Sequence, residues 1–285
     1  MLLLTGVTGK TGGATAQALL KKGVPFRAIV RNADKAAALK AAGVELVIGD
    51  ATDRAVIEKA LTGIERAFMI MPNGEKQLDI EKQFIDVAKA KGVKHVVKMS
   101  SMEAYATATA PIPQVHYLAE QYLKASGLAW TMLKPNFFMQ NFLGSAGTIK
   151  EQGKFFLPMG EGRTVMIDTR DIGECAAAAL TVPGHENRSY ELTGPEELSF
   201  ADAAERFTKV LGRKIEYVYV QMDKYRPTLA KFLTNEWHLN AVCTLFQEIA
   251  DGQDLERSDY VEKLTGKPPT SLEQFVRDHQ AVFTA

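Results

Sequence analysis

Three glycines spaced three apart, Gly6, Gly9 and Gly12, stand in Thr5-Gly-Val-Thr-Gly-Lys-Thr-Gly-Gly13, between an apolar run and an amphipathic stretch. A tight turn needs a residue free to take positive φ, and a diphosphate can lie against backbone only where no Cβ intervenes. The helix that follows offers unpaired N–H groups and the positive end of its dipole. The pattern is weak alone. Between a first strand and a first helix it points to the pyrophosphate of a dinucleotide, held around Gly6, Thr8, Gly9, Lys10, Thr11 and Gly12. A glycine-rich corner that binds nothing is the plain alternative. Gly9-Lys10-Thr11 also looks like the end of a triphosphate loop, but that motif needs a glycine five residues before its Gly-Lys, where this chain has Leu4.

A second chemical signal lies at the end of the apolar run Phe26–Val30. Sites specific for NAD place a carboxylate there to accept from the ribose 2′-OH. This chain has Arg31, with Lys35 four residues on. A guanidinium pairs with a 2′-phosphate, so these residues favour NADPH over NADH; a solvated charge at a strand end is the other reading. Asp34 reads as a helix N-cap rather than a ribose ligand.

Behind these residues, short apolar runs alternate with amphipathic stretches. Strands are expected at Leu2–Leu4, Phe26–Val30, Val44–Ile48, Ala67–Met71, Val93–Met99 and Trp130–Leu133. Helices are expected at Gly12–Lys22, Asp34–Ala42, Ala55–Leu61, Gln77–Ala90 and Val115–Ala125. Ile80, Phe84, Val87 and Ala88 fall at helical spacing in the fourth of these. Such alternation implies βαβ units and a parallel sheet covered on both faces. The expected class is therefore α/β, a Rossmann doubly wound sheet over residues 1–150, with later segments returning to it. A smaller, mostly helical lobe over 151–285 would bind substrate. Beyond Pro135, helices are expected at Phe137–Lys150 and Asp168–Leu180, and strands at Tyr190–Leu192 and Glu216–Val220. Ser199 and Asp202 have capping-box spacing at the head of a helix to Leu211.

Composition narrows the partners. Lys+Arg and Asp+Glu are both 34, and no dense basic run occurs, so a nucleic-acid partner is not expected. The two cysteines, Cys175 and Cys243, lie far apart, which argues against a disulfide framework or a zinc site and for a reducing cytoplasm. No metal ligand set is evident. No stretch approaches the roughly 20 apolar residues that span a bilayer, and Met1–Leu4 is too short for a signal peptide. Monomer and homodimer are both open.

Taken together, these residues resemble the NmrA-like branch of the atypical short-chain dehydrogenases/reductases, over essentially the whole chain. The resemblance rests on Thr5–Gly12, Arg31, Gly49-Asp-Ala-Thr-Asp53, Met71-Pro72 and Ser100-Ser101. Leu133-Lys-Pro-Asn-Phe-Phe-Met-Gln-Asn-Phe142 and Ile167-Asp-Thr-Arg-Asp-Ile-Gly173 complete it. It implies that Asp50 and Ala51 meet the adenine and that Met71 and Pro72 line the path to the nicotinamide ribose. Ser100 would lie near the nicotinamide, with Pro135, Asn136, Phe137 and Phe138 beside it. The family includes NADPH-dependent quinone, azo-dye and triphenylmethane-dye reductases, and redox sensors that bind NADP(H) without known turnover.

No tyrosine here has a lysine four residues on, so the Tyr-x-x-x-Lys pair of the wider superfamily is missing. His116-Tyr-Leu-Ala-Glu120 stands in its place and looks like the His-x-x-x-Glu variant of the quinone and dye reductases. A glutamate cannot lower a tyrosine pKa as a lysine does, which disfavours alcohol dehydrogenation and sugar-nucleotide epimerisation. Direct hydride transfer to an electrophilic conjugated acceptor remains, with the protein aligning the reactants and excluding water. His116, whose ordinary pKa is close to neutral, is expected either to polarise or protonate the acceptor or simply to bond locally on its helix. Phe137 and Phe138 are the expected aromatic wall; Phe142, Phe155 and Phe156 read better as packing of the lobe. Tyr225, Phe232, Trp237 and His238 read as core rather than as a cover. A non-catalytic NADP(H)-binding redox sensor is the competing function, and the pocket features serve both.

Overall fold

The computed structural model describes residues 1–252 and 256–284. The first half runs β1 (Leu2–Leu4), α1 (Lys10–Lys21), β2 (Phe26–Val30), α2 (Ala37–Ala41), β3 (Glu45–Ile48), α3 (Arg54–Leu61), β4 (Arg66–Met69), α4 (Gln77–Ala90), β5 (His95–Met99), α5 (Pro111–Ala125) and β6 (Ala129–Pro135). It continues through α6 (Ala146–Gln152), β7 (Lys154–Leu157), β8 (Arg163–Thr164), α7 (Thr169–Thr181), β9 (Arg188–Leu192), β10 (Leu198–Ser199), α8 (Phe200–Leu211) and β11 (Glu216–Tyr219). Helices α9 (Met222–Ala230), α10 (Glu236–Asp251), α11 (Tyr260–Thr265), α12 (Leu272–Asp278) and α13 (Gln280–Phe283) complete it.

Seven strands form one parallel sheet in the order β3-β2-β1-β4-β5-β6-β9. The order reverses direction between β1 and β4, and a crevice opens there beyond the carboxyl ends of the strands. Thr5 pins that point: its hydroxyl donates to Ile70 O at 2.8 Å and accepts from Ile70 N at 2.8 Å. On one face α1 and α7 pack with Leu19, Ile172 and Ala176 in the core. On the other, α3 and α4 contribute Ile57, Leu61, Phe84 and Ile85. α1 and α7 lie so close that a Cβ on Gly173 would sit 2.5 Å from the Ala14 backbone carbon.

A second core gathers Phe142, Phe155, Phe200, Phe207, Phe275 and Phe283. Small parallel and antiparallel pairs, β7 with β11 and β8 with β10, frame it. Phe155 stacks on Tyr217 across the first pair, with centroids 5.5 Å apart. The capping box of α8 forms in both directions, Asp202 N donating to Ser199 Oγ at 3.0 Å and Ser199 N to Asp202 at 2.9 Å.

Two local readings are corrected. The stretch from Phe137 is extended before it turns, because Ile167 N donates to Phe137 O and Met139 N to Ile167 O, both at 2.9 Å. A 3₁₀ turn, Met139–Ser145, follows, and the α-helix starts only at Ala146. Asp34 does not cap its helix: Asn32 Oδ1 accepts from Asp34 N at 2.8 Å, and residues 34–36 form a 3₁₀ turn instead.

Candidate functional site

The glycine turn carries the features a diphosphate needs. Gly6 has φ +68°. A Cβ on Gly12 would lie 2.2 Å from Gly6 O, so only glycine lets α1 begin against the turn. Gly9 caps α1 with no side-chain bond, and no acid lies in the first turn. Among the described residues the amides of Lys10, Thr11 and Gly12 have no hydrogen-bond partner. Three free N–H groups at a helix start, with no Cβ in the way, fit a pyrophosphate. Thr8 and Gly9 border a cavity of about 530 Å³ with Gln17, Lys35 and Leu39. This places Lys35 beside the turn, whereas Arg31, exposed after β2, is not in that lining.

On the other side of the turn lies a cavity of about 590 Å³. Lys10 and Thr11 reach it from α1, Met71 from the end of β4, Ser100 from the end of β5 and His116 from α5. Pro135, the last residue of β6, and Asn136, Phe137 and Phe138 beyond it close its floor. Burial lowers the Lys10 pKa below its ordinary value, and its ammonium donates to Asn141 Oδ1 at 3.1 Å. Pro72 follows Met71 but is exposed and outside the lining. Asp50 and Ala51 also lie outside both cavities; Gly49 N donates to Val30 O, which sets them beside Arg31 at the sheet edge. Asp50 Oδ1 accepts from Thr52 N at 2.9 Å.

The far wall is apolar and comes from α9, α10 and the turn between them: Leu229, Phe232, Leu233, Val242, Leu245 and Phe246. Phe232 and His238 therefore cover the pocket, against the sequence expectation of core burial, and Phe232 is 73% exposed. Tyr225 and Trp237 are not in the wall. Phe137 faces the cavity on one side and meets Phe200 edge-on at 5.4 Å on the other. Phe142 and Phe155 are packing residues of the lobe, as expected.

Around His116 and Glu120 the sequence argument missed two lysines. Lys98 Nζ, fully buried, lies 3.1 Å from His116 Nδ1 and 2.6 Å from Glu81 Oε2. Lys134 Nζ lies 3.6 Å from Glu120 Oε1, which also accepts from Ser100 Oγ at 2.5 Å. Burial and then these two cations, Lys98 before Lys134, hold the His116 pKa well below its ordinary value. This runs against the expectation of a histidine titrating near neutrality: burial leaves the ring little solvent to stabilise an imidazolium, and positive charge already stands beside it. Lys134 also lies over the Tyr105 ring at 4.9 Å, but the Tyr105 hydroxyl turns to Glu191 and is pushed up to about 12, chiefly by burial. That is the opposite of an activated tyrosine. Glu103, a further lining residue, accepts from Asn136 Nδ2 at 2.8 Å and from Ser101 Oγ, and burial raises its pKa.

One signal could have found the pair. Glu81 falls on the same helical stripe as Gln77, Phe84 and Ala88, and Lys98 sits inside a strand buried on both faces. A charge in either place needs a partner of opposite sign.

The model of the NmrA-like family matches residues 1–276. The chain belongs to the NmrA-like family. An NmrA-like relative, the NAD(P)H azoreductase of Xenophilus azovorans, is 35% identical over 287 residues, all of both chains. The crystal structure of the NADPH-dependent quinone oxidoreductase QOR2 of Escherichia coli complexed with NADPH superposes with a TM-score of 0.87. That pair is 28% identical, with 99% of this chain and 100% of the other covered. The triphenylmethane reductase of Citrobacter sp., complexed with NADP(H), gives a TM-score of 0.86 at 27% identity, over 98% of this chain and 99% of the other. Among the described residues of this NmrA-like chain, no helix is long and apolar enough to cross a membrane, and no cluster of side chains suits a metal ion.

Proposed function

We propose that this NAD(P)H-dependent oxidoreductase reduces a flat conjugated acceptor, a quinone, an azo dye or a triarylmethane dye, and prefers NADPH. The observation that carries the proposal is the convergence of the glycine turn, Ser100, His116 and Phe137–Phe138 on one cavity whose opposite wall is apolar. Bound there, NADPH would supply a hydride, and the residues present decide where it goes. The free amides of residues 10–12 would hold the diphosphate; Arg31 and Lys35 would meet the 2′-phosphate. Pro135–Phe138 and Met71 would press the nicotinamide against the cavity, and Phe232, Leu233 and Phe246 would lay a planar ring over it while excluding water. His116 and Ser100 also line that cavity and would meet the charge that develops on the acceptor. The relatives named as azo, quinone and triphenylmethane reductases support the same acceptor class.

The test follows absorbance of the reduced nicotinamide with NADPH and NADH across quinones, azo dyes and triarylmethane dyes. Turnover with at least one class, faster at limiting NADPH than NADH, is expected. Tight NADPH binding with no turnover on any of them would refute the reductase reading.

A further inference from the structure

Lys98, Glu81 and Gln77 line no part of the cavity, yet they form a chain of buried polar groups that ends on His116. Gln77 Nε2 donates to Glu81 Oε1 at 3.0 Å, and Glu81 Oε2 meets Lys98 Nζ at 2.6 Å. Gln77, Glu81 and Lys98 are each at most 1% exposed. Burying an ammonium and a carboxylate is expensive even when they are paired, so a purely structural pair here would be a poor use of core space.

The geometry of Lys98 states what the pair does. An ammonium has three protons and no lone pair. Lys98 Nζ lies in hydrogen-bond reach of Met99 O at 3.0 Å and His116 Nδ1 at 3.1 Å, with Glu81 Oε2 beside it as an ion-pair partner at 2.6 Å. The ammonium has only protons to offer, so Nδ1 must present its lone pair. A neutral imidazole with an acceptor at Nδ1 carries its proton on Nε2. Nε2 has no protein partner among the described residues, and the ring borders the cavity.

We propose that Lys98, anchored by Glu81, is a positioning residue that fixes His116 as the neutral Nε2–H tautomer, so that the site presents one N–H donor to the acceptor and no imidazolium. The inference rests on the proposed reading for what His116 faces, but not for the tautomer itself. The electron pair that hydride addition pushes onto an oxygen or nitrogen of the acceptor is met by that N–H. The proton that completes the reduction comes from water, and the imidazole keeps its own. Lys98 of β5 is the charged group facing the ring at Nδ1; Lys134 of β6 adds a second positive charge. Glu81 of α4 is spent on Lys98, and Glu120, one turn along α5, on Ser100, Lys124 and Lys134. From α10, His238 meets Asn73 and Glu248 meets Thr109. Glu103, beyond β5, is held by Ser101 and Asn136.

The tautomer is read from long-range ¹H–¹⁵N spectra of protein labelled at its five histidines, with His116→Gln identifying the signal. The wild-type His116 signal is expected to show a protonated Nε2 and a bare Nδ1, unchanged from about pH 5 to 8, around the ordinary histidine value. A protonated Nδ1, or a titration inside that window, overturns the proposal. In the double variant Lys98→Met with Glu81→Leu, which removes both charges together, His116 should begin to titrate, and the pH profile of kcat/KM should gain a bend that His116→Gln abolishes. A folded double variant whose His116 still does not titrate removes Lys98 as the cause. The tautomer is read from the wild-type protein without turnover, His116→Gln serving only to assign the signal, so a fixed Nε2–H with no activity on any acceptor would strike only the reductase reading.

Discussion

Replacing Gly12 by alanine tests the cradle at its tightest point. The added Cβ would lie 2.2 Å from Gly6 O, 2.5 Å from Gly6 C and 3.0 Å from Val7 N, all backbone atoms that no rotamer change can move. Ordinary contact needs about 3.5 Å, so the turn and the start of α1 must separate by about 1 Å. Overpacking of this kind costs about 1–3 kcal/mol, against about 1 kcal/mol recovered from alanine's better helix propensity. A net loss of up to about 2 kcal/mol lowers Tm by up to about 8 °C. The larger effect falls on binding, because a displacement of about 1 Å in positioned groups can lose about 100-fold. Titration of NADPH by fluorescence, alongside thermal melting without cofactor, measures both. Gly147→Ala in α6, where a Cβ meets nothing within 4 Å, serves as the comparison and should bind NADPH unchanged with equal or slightly higher Tm. If Gly12→Ala binds NADPH within threefold of the parent, the close-approach reasoning is wrong.

Arg31→Ala should weaken NADPH about 10- to 100-fold while leaving NADH unchanged, the worth of a charge-assisted hydrogen bond to phosphate; an unchanged NADPH/NADH ratio would contradict the 2′-phosphate assignment. Phe232→Ala removes a side chain that is 73% exposed, so stability should shift by less than about 0.5 kcal/mol. KM for planar acceptors should nevertheless rise about 2- to 10-fold, as expected for a lost aromatic contact, with NADPH affinity unaltered. Asp171, which accepts from Thr270 N at 2.7 Å and Thr270 Oγ1 at 3.0 Å, has its pKa raised by burial to about 6. The folded state therefore takes up a proton between the unfolded value near 4 and about 6, and the stability this brings is present below that window and lost as pH rises through it. Denaturant titrations should show wild type gaining about 1–3 kcal/mol over Asp171→Asn on acidification from pH 7 to 4, and a constant difference would refute the assignment.

The strands of the sheet were legible because each is a short apolar run between turn signals, and a parallel sheet buried on both faces leaves no other pattern. The glycine turn was legible because its positions are local in sequence. What escaped was set by long-range contacts. The stretch after Pro135 has helical composition, yet Ile167 draws Phe137 and Phe138 into extended pairing. The strand Lys154–Leu157 exists only because Glu216–Tyr219 lies beside it. His116 was read from the spacing of His-x-x-x-Glu and Ser100 from the family resemblance, whereas Lys98 and Glu81 belong to a strand and a helix whose contact no local pattern records. The wall from α9 and α10 was read as core since an amphipathic helix has the same face whether it covers a cavity or a neighbouring helix.

The close seating of α1 against α7 has a consequence for how the protein comes into being. Gly173 can touch Ala14 only after about three fifths of the chain has been synthesised, and β9 joins the sheet later still. A nascent chain that ends after β6 owns every glycine of the turn before α1 but lacks the helix that braces it. Competence to hold a nucleotide should thus be acquired late in translation and in a single cooperative step, with the dinucleotide acting as a ligand of the finished fold rather than as a template for its first half.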